Sequence, residues 1–316
     1  MKPEILVLGA SPSQSVMEQL EQAFHCHHAW RLAPSAQDAF IGSVAGAVRG
    51  VVTTGTIGIT PARVALLPAL EIIAVNGIGV DAVAFEATRP RGILVTNTPG
   101  VLTDDVADLA LTLLLAAARR LPALDRYVRA GEWENKGALA PTRALRGRVA
   151  GIFGFGRIGQ AVALRLAAFG MVLRYYQPNI VAATSVARSA SLLALARESD
   201  YLIVCAPGGA ATRHCIDAAV LAALGPEGTL INIARGSLID EPALIAALQG
   251  GQLGFAALDV FENEPNVPSA LRALDNVVLT PHVGSLTVET RHAMGQLVVD
   301  NLLAHFAGMA LLTPVA

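Results

Sequence analysis

A chain of 316 residues that is 53% hydrophobic and 15% charged has the length for two domains and the apolar content for two buried cores. A net charge of −2 without long basic runs excludes the electrostatic footprint of a nucleic-acid or anionic-membrane binder. Three widely spaced cysteines, Cys26, Cys205 and Cys215, form no disulfide framework and fit a reducing, cytoplasmic setting, and the N-terminal apolar run is too short for a secretory signal.

Along the first third, residues 5–8, 51–53, 72–75 and 93–96 are short apolar runs of the kind that make buried parallel strands. Val16, Leu20 and Phe24 recur at four-residue spacing and predict a helix between the first two runs. His25-Cys26-His27-His28 contains good zinc ligands, but neighbouring side chains of an extended segment leave opposite faces. It reads as surface turn and strand, and no metal site is assigned. Asn76, Gly77, Ile78 and Gly79 follow a strand, where glycines let an anion approach backbone N–H groups; a plain tight turn has the same composition. Residues 109–118 are the most apolar stretch and too short to span a bilayer. Asp104, Asp105 and Asp108 before it and Arg119 and Arg120 after it complement a helix dipole, with Thr103 as N-cap.

A second alternating series starts at residues 149–153, an apolar run followed by Gly154-Phe155-Gly156-Arg157-Ile158-Gly159 and a helix carrying Val162, Leu164, Leu166 and Phe169. A G-x-G-x-x-G between a strand and a helix marks a dinucleotide site. Gly154 permits the tight turn, Gly156 the approach of a pyrophosphate to the helix N-terminus, and Gly159 close helix–strand packing. Further strands are expected at 171–176, 201–205, 229–233, 255–258 and 277–279, while the alanine-rich stretches 181–196 and 218–224 read as ordinary helices and loops. The fold class is therefore α/β, with two Rossmann-like doubly wound parallel sheets, the nucleotide-binding one second in the chain.

Reduction of a carbonyl by a nicotinamide needs a proton donor, a cation for the substrate anion and a group that tunes the donor. Arg235, Glu264 and His282 each follow a strand candidate and supply these three types. Taken singly, each also reads as a solvated or capping loop residue. Brought together, a Glu264 carboxylate would favour a His282 imidazolium, an acid for the carbonyl oxygen, and the Arg235 fork suits a carboxylate. Cys205 reads as core, Cys215 beside Arg213 and His214 as somewhat more reactive, and Trp133 as ordinary packing.

The glycine fingerprint, Ala234-Arg235-Gly236, Glu264-Pro265 and Pro281-His282-Val283-Gly284 together resemble the D-isomer-specific 2-hydroxyacid dehydrogenases over nearly the whole chain. Val80-Asp81, the run from Asn97-Thr98-Pro99-Gly100 through Val106-Ala107, and Leu312-Thr313-Pro314-Val315 are most similar to the glyoxylate, hydroxypyruvate and hydroxyphenylpyruvate reductase branch. The resemblance implies that Arg235 binds the substrate carboxylate and keto oxygen, that Glu264 orients and charges His282, and that His282 is the acid/base. It implies backbone donors at Gly77, Ile78 and Gly79, with Asn76 beside them, in a discontinuous substrate domain of residues 1–98 and 285–316, around a dinucleotide domain of residues 99–284 and an interdomain cleft. Its cofactor contacts fall on Thr103, Ala206, Pro207, Thr212, Ile233, Ala234, Asp259 and Gly284, besides Gly154, Gly156, Arg157, Ile158, Gly159 and Gln177. A homodimer through the helical region 109–120 is also implied.

An NAD-preferring Rossmann domain closes its second strand with Asp or Glu, whereas this chain has Gln177, followed by Pro178 and Asn179 where the branch often has basic or polar partners. Without the carboxylate nothing repels a 2′-phosphate, so NADPH is favoured and NADH is the second candidate. The expected activity is hydride transfer from NAD(P)H to a small 2-oxo acid, glyoxylate or hydroxypyruvate, giving a D-2-hydroxy acid. The alternatives are a 2-ketogluconate or arylpyruvate reductase and, in another class, a nucleotide-sensing corepressor or scaffold. Formate oxidation is disfavoured, because that related chemistry needs no proton donor and generally has a neutral amide where this chain has Glu264.

Overall fold

A computed structural model describes residues 2–9, 13–135, 139–181 and 184–315. The chain divides into two compact units, Met1–Leu102 with Ser285–Ala316, and Thr103–Gly284. Each contains one sheet in which every strand pairing is parallel.

In the first unit, β1 (Glu4–Val7), β2 (His25–His28), β3 (Val48–Thr54), β4 (Ile72–Asn76) and β5 (Leu94–Thr96) lie in the order β2-β1-β3-β4-β5. The strands are apolar on consecutive residues because both faces are covered, as parallel sheets require. Ile5, Val7, Ile72 and Ala74 meet Val16, Leu20 and Phe24, and also Val298, Val299 and Leu302 of the helix Val288–Phe306. Their neighbours Leu6, Leu8, Ile73 and Val75 face the opposite core with Ile41, Val64 and Leu67. The expected helix forms at Gln14–Ala23, with Ser13 accepting from the Val16 N–H as its N-cap. The segment 25–28 is a full edge strand. The C-terminal segment is stitched to β5 and its end: Val315 N–H donates to the Val95 carbonyl, and Thr313 Oγ1 donates to Asn97 O at 2.6 Å.

In the second unit, β6 (Val149–Phe153), β7 (Val172–Tyr176), β8 (Ala187–Arg188), β9 (Tyr201–Val204), β10 (Thr229–Asn232), β11 (Phe255–Leu258) and β12 (Val277–Leu279) take the order β12-β11-β10-β9-β6-β7-β8. Strand order reverses between β6 and β9, which makes this the switch point of a doubly wound sheet. The helix Thr103–Ala118 packs on the helix Arg157–Ala168 and against β10, β11 and β12. Arg165 bridges the two helices through Asp104 at 3.0 Å and Asp108 at 2.5 Å.

Four local expectations are corrected. Thr103 is the first residue of its helix and does not cap it; its hydroxyl is buried without a hydrogen-bond partner among the described residues. Of the apolar positions after the fingerprint, Val162 and Leu166 are buried, but Leu164 is 74% exposed and Phe169 stands at the C-cap. The alanine-rich stretch 181–196 contains the edge strand β8 as well as the start of the helix Leu192–Arg197; residues 182–183 within it lie outside the described residues. Burial pushes the Cys215 thiol up to about 11, so its basic neighbours do not make it reactive, and Cys26 and Cys205 are pushed up to about 12.

Leu302 is fully buried and Leu303 is 43% exposed on the same helix. Leu302→Ala should destabilise the first unit by about 2–5 kcal/mol, against under about 1 kcal/mol for Leu303→Ala, as read by denaturant unfolding.

Candidate active site

The fingerprint begins where β6 ends, and its glycines have three separate physical reasons. Gly154 has φ +90, and a Cβ there would meet the Ala206 nitrogen at 2.5 Å, so the turn closes directly against the segment leaving β9. A Cβ on Gly159 would meet the Gly154 carbonyl oxygen at 2.1 Å, which sets the closeness of helix and strand. A Cβ on Gly156 would meet nothing within 4 Å. The described residues therefore give no steric reason for that glycine, and the open space in front of it fits a bound pyrophosphate. Gly156 is the N-cap of the helix Arg157–Ala168 and offers it no side-chain bond, so the N–H groups at Arg157, Ile158 and Gly159 open a helix of twelve residues, the geometry that receives an anion.

The other candidate cofactor residues stand at the carboxyl edge of the same sheet. Ala206 and Pro207 follow β9, Ile233 and Ala234 follow β10, Asp259 follows β11 and Gly284 lies beyond β12. Thr212 closes the loop after β9 by donating from Oγ1 to Pro207 O at 2.8 Å. Gln177, the residue after β7, has both ends of its amide engaged: Oε1 accepts from Phe155 N–H at 2.9 Å, and Nε2 donates to Asn179 O at 3.0 Å. The buried, unpartnered Thr103 hydroxyl and the open space at Gly156 are the two features that a bound dinucleotide would satisfy.

Arg235, Glu264 and His282 follow β10, β11 and β12, three adjacent parallel strands, so topology delivers them to one edge. Gly236 brings the first two segments into contact, since a Cβ there would lie 1.9 Å from the Phe261 carbonyl carbon. Asn232, buried at the end of β10, shapes the arginine turn: its Oδ1 accepts from Ala234 N–H and its Nδ2 donates to Arg235 O. Arg235 Nη1 donates to Ala234 O at 2.7 Å. The segment carrying Glu264 is braced by buried Glu241, which accepts from Glu262 N–H at 2.7 Å, while Glu262 accepts from Arg213 and pairs with His214.

His282 sits at φ +54, a conformation that side chains rarely adopt and that must be imposed by surrounding bonds. Asp259 imposes it. Its backbone carbonyl accepts from His282 N–H at 2.8 Å, Oδ1 accepts from Thr280 Oγ1 at 2.7 Å and Val283 N–H at 2.9 Å, and Oδ2 accepts from Gly284 N–H at 3.0 Å. Burial raises the Asp259 pKa, and the donors from Thr280, Val283 and Gly284 oppose that rise. The sequence offered Asp259 only as a cofactor residue; here it anchors the turn that presents His282.

His282 Nδ1 lies 2.8 Å from Glu264 Oε2, and Glu264 Oε1 accepts from Phe261 N–H at 3.1 Å. Burial pushes the Glu264 carboxyl up, but the hydrogen bond and charge of His282, the Phe261 N–H and the charge of Arg235 outweigh it, so its pKa lies below the ordinary value. An ionised carboxylate only accepts, so the bond assigns a proton to His282 Nδ1 and leaves Nε2 outside this pair.

In the first unit, the turn after β4 is narrower than expected as an anion site. Gly77 N–H is engaged by Val75 O at 3.0 Å, whereas the N–H groups of Ile78 and Gly79 have no partner among the described residues. Asn76 is 5% exposed, lines an apolar cavity with Val7, Val16 and Val298, and has both amide atoms buried without a partner among the described residues. On β1 and β2, strand alternation separates His25 and His27 from His28, which pairs with Glu21. It also sets His25 and His27 beside Glu4, with ligand atoms within 4.8 Å of one another and His27 Nε2 2.7 Å from Glu4 Oε2. The histidine run alone could not show that grouping, because Glu4 comes from the neighbouring strand.

A folded pKa held below its unfolded value adds stability that is present above the unfolded value and lost as pH falls through the folded one. The destabilisation caused by Glu264→Gln should therefore be evident near neutral pH and shrink as pH falls below about 4, measured by urea unfolding of both proteins across that range.

Residues 111–284 match the family described as D-isomer specific 2-hydroxyacid dehydrogenase, NAD binding domain. The chain is 46% identical over 310 residues to glyoxylate/hydroxypyruvate reductase A of Arabidopsis thaliana, covering 98% of each chain. It is 43% identical over 316 residues to 2-ketogluconate reductase of Gluconobacter oxydans, covering 99% of each. Among solved structures, the NADPH-dependent glyoxylate/hydroxypyruvate reductase of Sinorhizobium meliloti in complex with NADP and malonate superposes with a TM-score of 0.90 at 43% identity, covering 100% of this chain and 97% of that one. The chain is a member of the D-isomer specific 2-hydroxyacid dehydrogenases, NAD(P)-dependent oxidoreductases built on two parallel α/β sheets.

Proposed function

We propose that this protein reduces glyoxylate or hydroxypyruvate to the D-2-hydroxy acid with NADPH as the favoured reductant, His282 giving the proton. The observation that carries the chemistry is the 2.8 Å bond between His282 Nδ1 and Glu264, placed beside Arg235 at one sheet edge. The substrate class rests on full-length similarity to glyoxylate/hydroxypyruvate reductases, and 2-ketogluconate is the second reading through the Gluconobacter relative.

Arg235 would bind the substrate carboxylate and keto oxygen with its planar fork, fixing which carbon is presented. When bound, the reduced nicotinamide supplies the hydride to that carbon. As the C=O bond becomes C–O⁻, the Nε2–H of the His282 imidazolium protonates the oxygen, and His282 is left neutral. Glu264, through its bond to Nδ1, keeps the ring oriented throughout. In the oxidative direction neutral Nε2 is the base. Thr103, Arg157, Ile158 and the segment Ala206–Pro207 would hold the dinucleotide around the open space at Gly156, with Thr212, Ile233, Ala234, Asp259 and Gly284 shaping the remainder of the edge. NADPH is favoured because no carboxylate closes β7, where Gln177 stands, and because a structurally similar reductase is NADPH-dependent.

The first unit serves as the substrate domain in this reading, its Ile78 and Gly79 N–H groups being free to receive a carboxylate. A homodimer is supported by the exposed Leu121 and Val128 on the helix Leu121–Arg129 and by exposed Trp133, apolar surface that a second copy would cover. Among the described residues no helix is long and apolar enough to cross a membrane. Three free cysteines accord with the cytoplasm.

The test is steady-state oxidation of NADPH and NADH with glyoxylate, hydroxypyruvate, 2-ketogluconate and phenylpyruvate, for the wild type and His282→Ala. The reading expects NADPH turnover with the first two acids, and loss of about 100-fold or more in kcat for the variant with its nucleotide affinity kept. Cofactor binding without turnover of any 2-oxo acid would instead favour the sensing alternative.

A further inference from the structure

The sequence shows no basic residue directly after β7 to meet a 2′-phosphate, only Gln177, Pro178 and Asn179. Gln177 does not fill the gap, because its Oε1 is held by Phe155 N–H and its Nε2 by Asn179 O. A cation reaches this place from a different segment. The edge strand β8 pairs in parallel with β7, with Arg188 opposite Tyr175. From there the Arg188 side chain extends along the strand direction to the carboxyl end of β7. Nε and Nη2 donate to Gln177 O at 3.2 and 3.0 Å, and Nη2 also donates to Pro178 O at 3.0 Å. The guanidinium carbon lies 5.8 Å from the centre of the Tyr176 ring.

These contacts fix the guanidinium plane while leaving the charge unneutralised. Three of its five N–H donors are used by main-chain carbonyls, the two on Nη1 remain for another acceptor, and no carboxylate pairs with it among the described residues. The nearby acid Glu198 is taken up by Ser189 and Arg174. In a doubly wound sheet the end of the second strand, here β7, is where the adenosine ribose of a dinucleotide is read. A preoriented, exposed arginine fork at that point suits a dianionic phosphate and has no comparable partner in a ribose bearing only hydroxyls.

We propose that Arg188 is the residue that recognises the 2′-phosphate of NADPH, so that cofactor choice in this chain is carried by β8 and not by the loop directly after β7. This inference rests on the NADPH reading given above.

The test combines kinetics with binding of cofactor fragments. For the wild type, Arg188→Ala and Arg188→Lys, kcat/KM would be measured with NADPH and with NADH, and 2′,5′-ADP and 5′-AMP would be titrated calorimetrically. In Arg188→Ala the NADPH value and 2′,5′-ADP affinity should fall about 10- to 100-fold. The NADH value and 5′-AMP affinity should stay within about twofold. Arg188→Lys, which keeps the charge and loses the fork, should recover part of the loss. A wild type that prefers NADPH, with Arg188→Ala lowering both cofactors alike or neither, would overturn the assignment to Arg188 alone. A wild type that uses NADH in preference and binds 2′,5′-ADP no better than 5′-AMP would overturn the NADPH reading and this inference with it.

Discussion

Parallel pairing is the constraint from which the site follows. Parallel strands need crossover connections, so every strand of the second sheet runs the same way and every segment leaving a carboxyl end emerges at one edge. Adjacent β10, β11 and β12 therefore bring Arg235, Glu264 and His282 together although they are far apart in sequence. The same edge, where strand order reverses between β6 and β9, carries the glycine turn. One topological rule thus brings the glycine turn and the proposed proton donor to the same edge.

Topology alone does not aim a side chain, and the aim is set by a few buried polar groups. Asp259 spends both carboxylate oxygens and its carbonyl on the turn 280–284, holding His282 in a left-handed conformation it would not keep unaided. Glu264 then fixes the ring through Nδ1. Asn232 does the equivalent for Arg235, and Gly236 lets the two turns touch. Asp259 and Asn232 are buried and Glu264 is half-buried, and each is matched by hydrogen-bond partners, which is the condition under which a polar network specifies one arrangement. The Glu264 carboxyl accordingly lies below its ordinary pKa, and in the proposed reaction the Nε2 edge of His282 is the one that meets the substrate.

Much of this was legible in the sequence where local pattern and three-dimensional role coincide. Apolar runs bounded by turn residues give β6, β11 and β12 to the residue, and a glycine fingerprint between strand and helix needs no long-range information. That Arg235, Glu264 and His282 could converge was legible because each lies beyond such a run. What could not be read depended on contacts between separate segments. β8 is two residues long and leaves no periodicity, so Arg188 passed unnoticed although its side chain reaches Gln177 and Pro178. The pairing of His25 and His27 with Glu4 depends on strand register. Thr103 had the chemistry of a cap, but the helix starts one residue too early for it to act as one.

The central claim is that Glu264 makes His282 a proton donor without itself holding the cofactor. The most direct measurement is kcat/KM for glyoxylate or hydroxypyruvate reduction by Glu264→Gln, alongside the variant's dissociation constant for the reduced cofactor. The account predicts a loss of about 100-fold or more in kcat/KM with cofactor affinity unchanged. Reduction at close to the wild-type rate would contradict it.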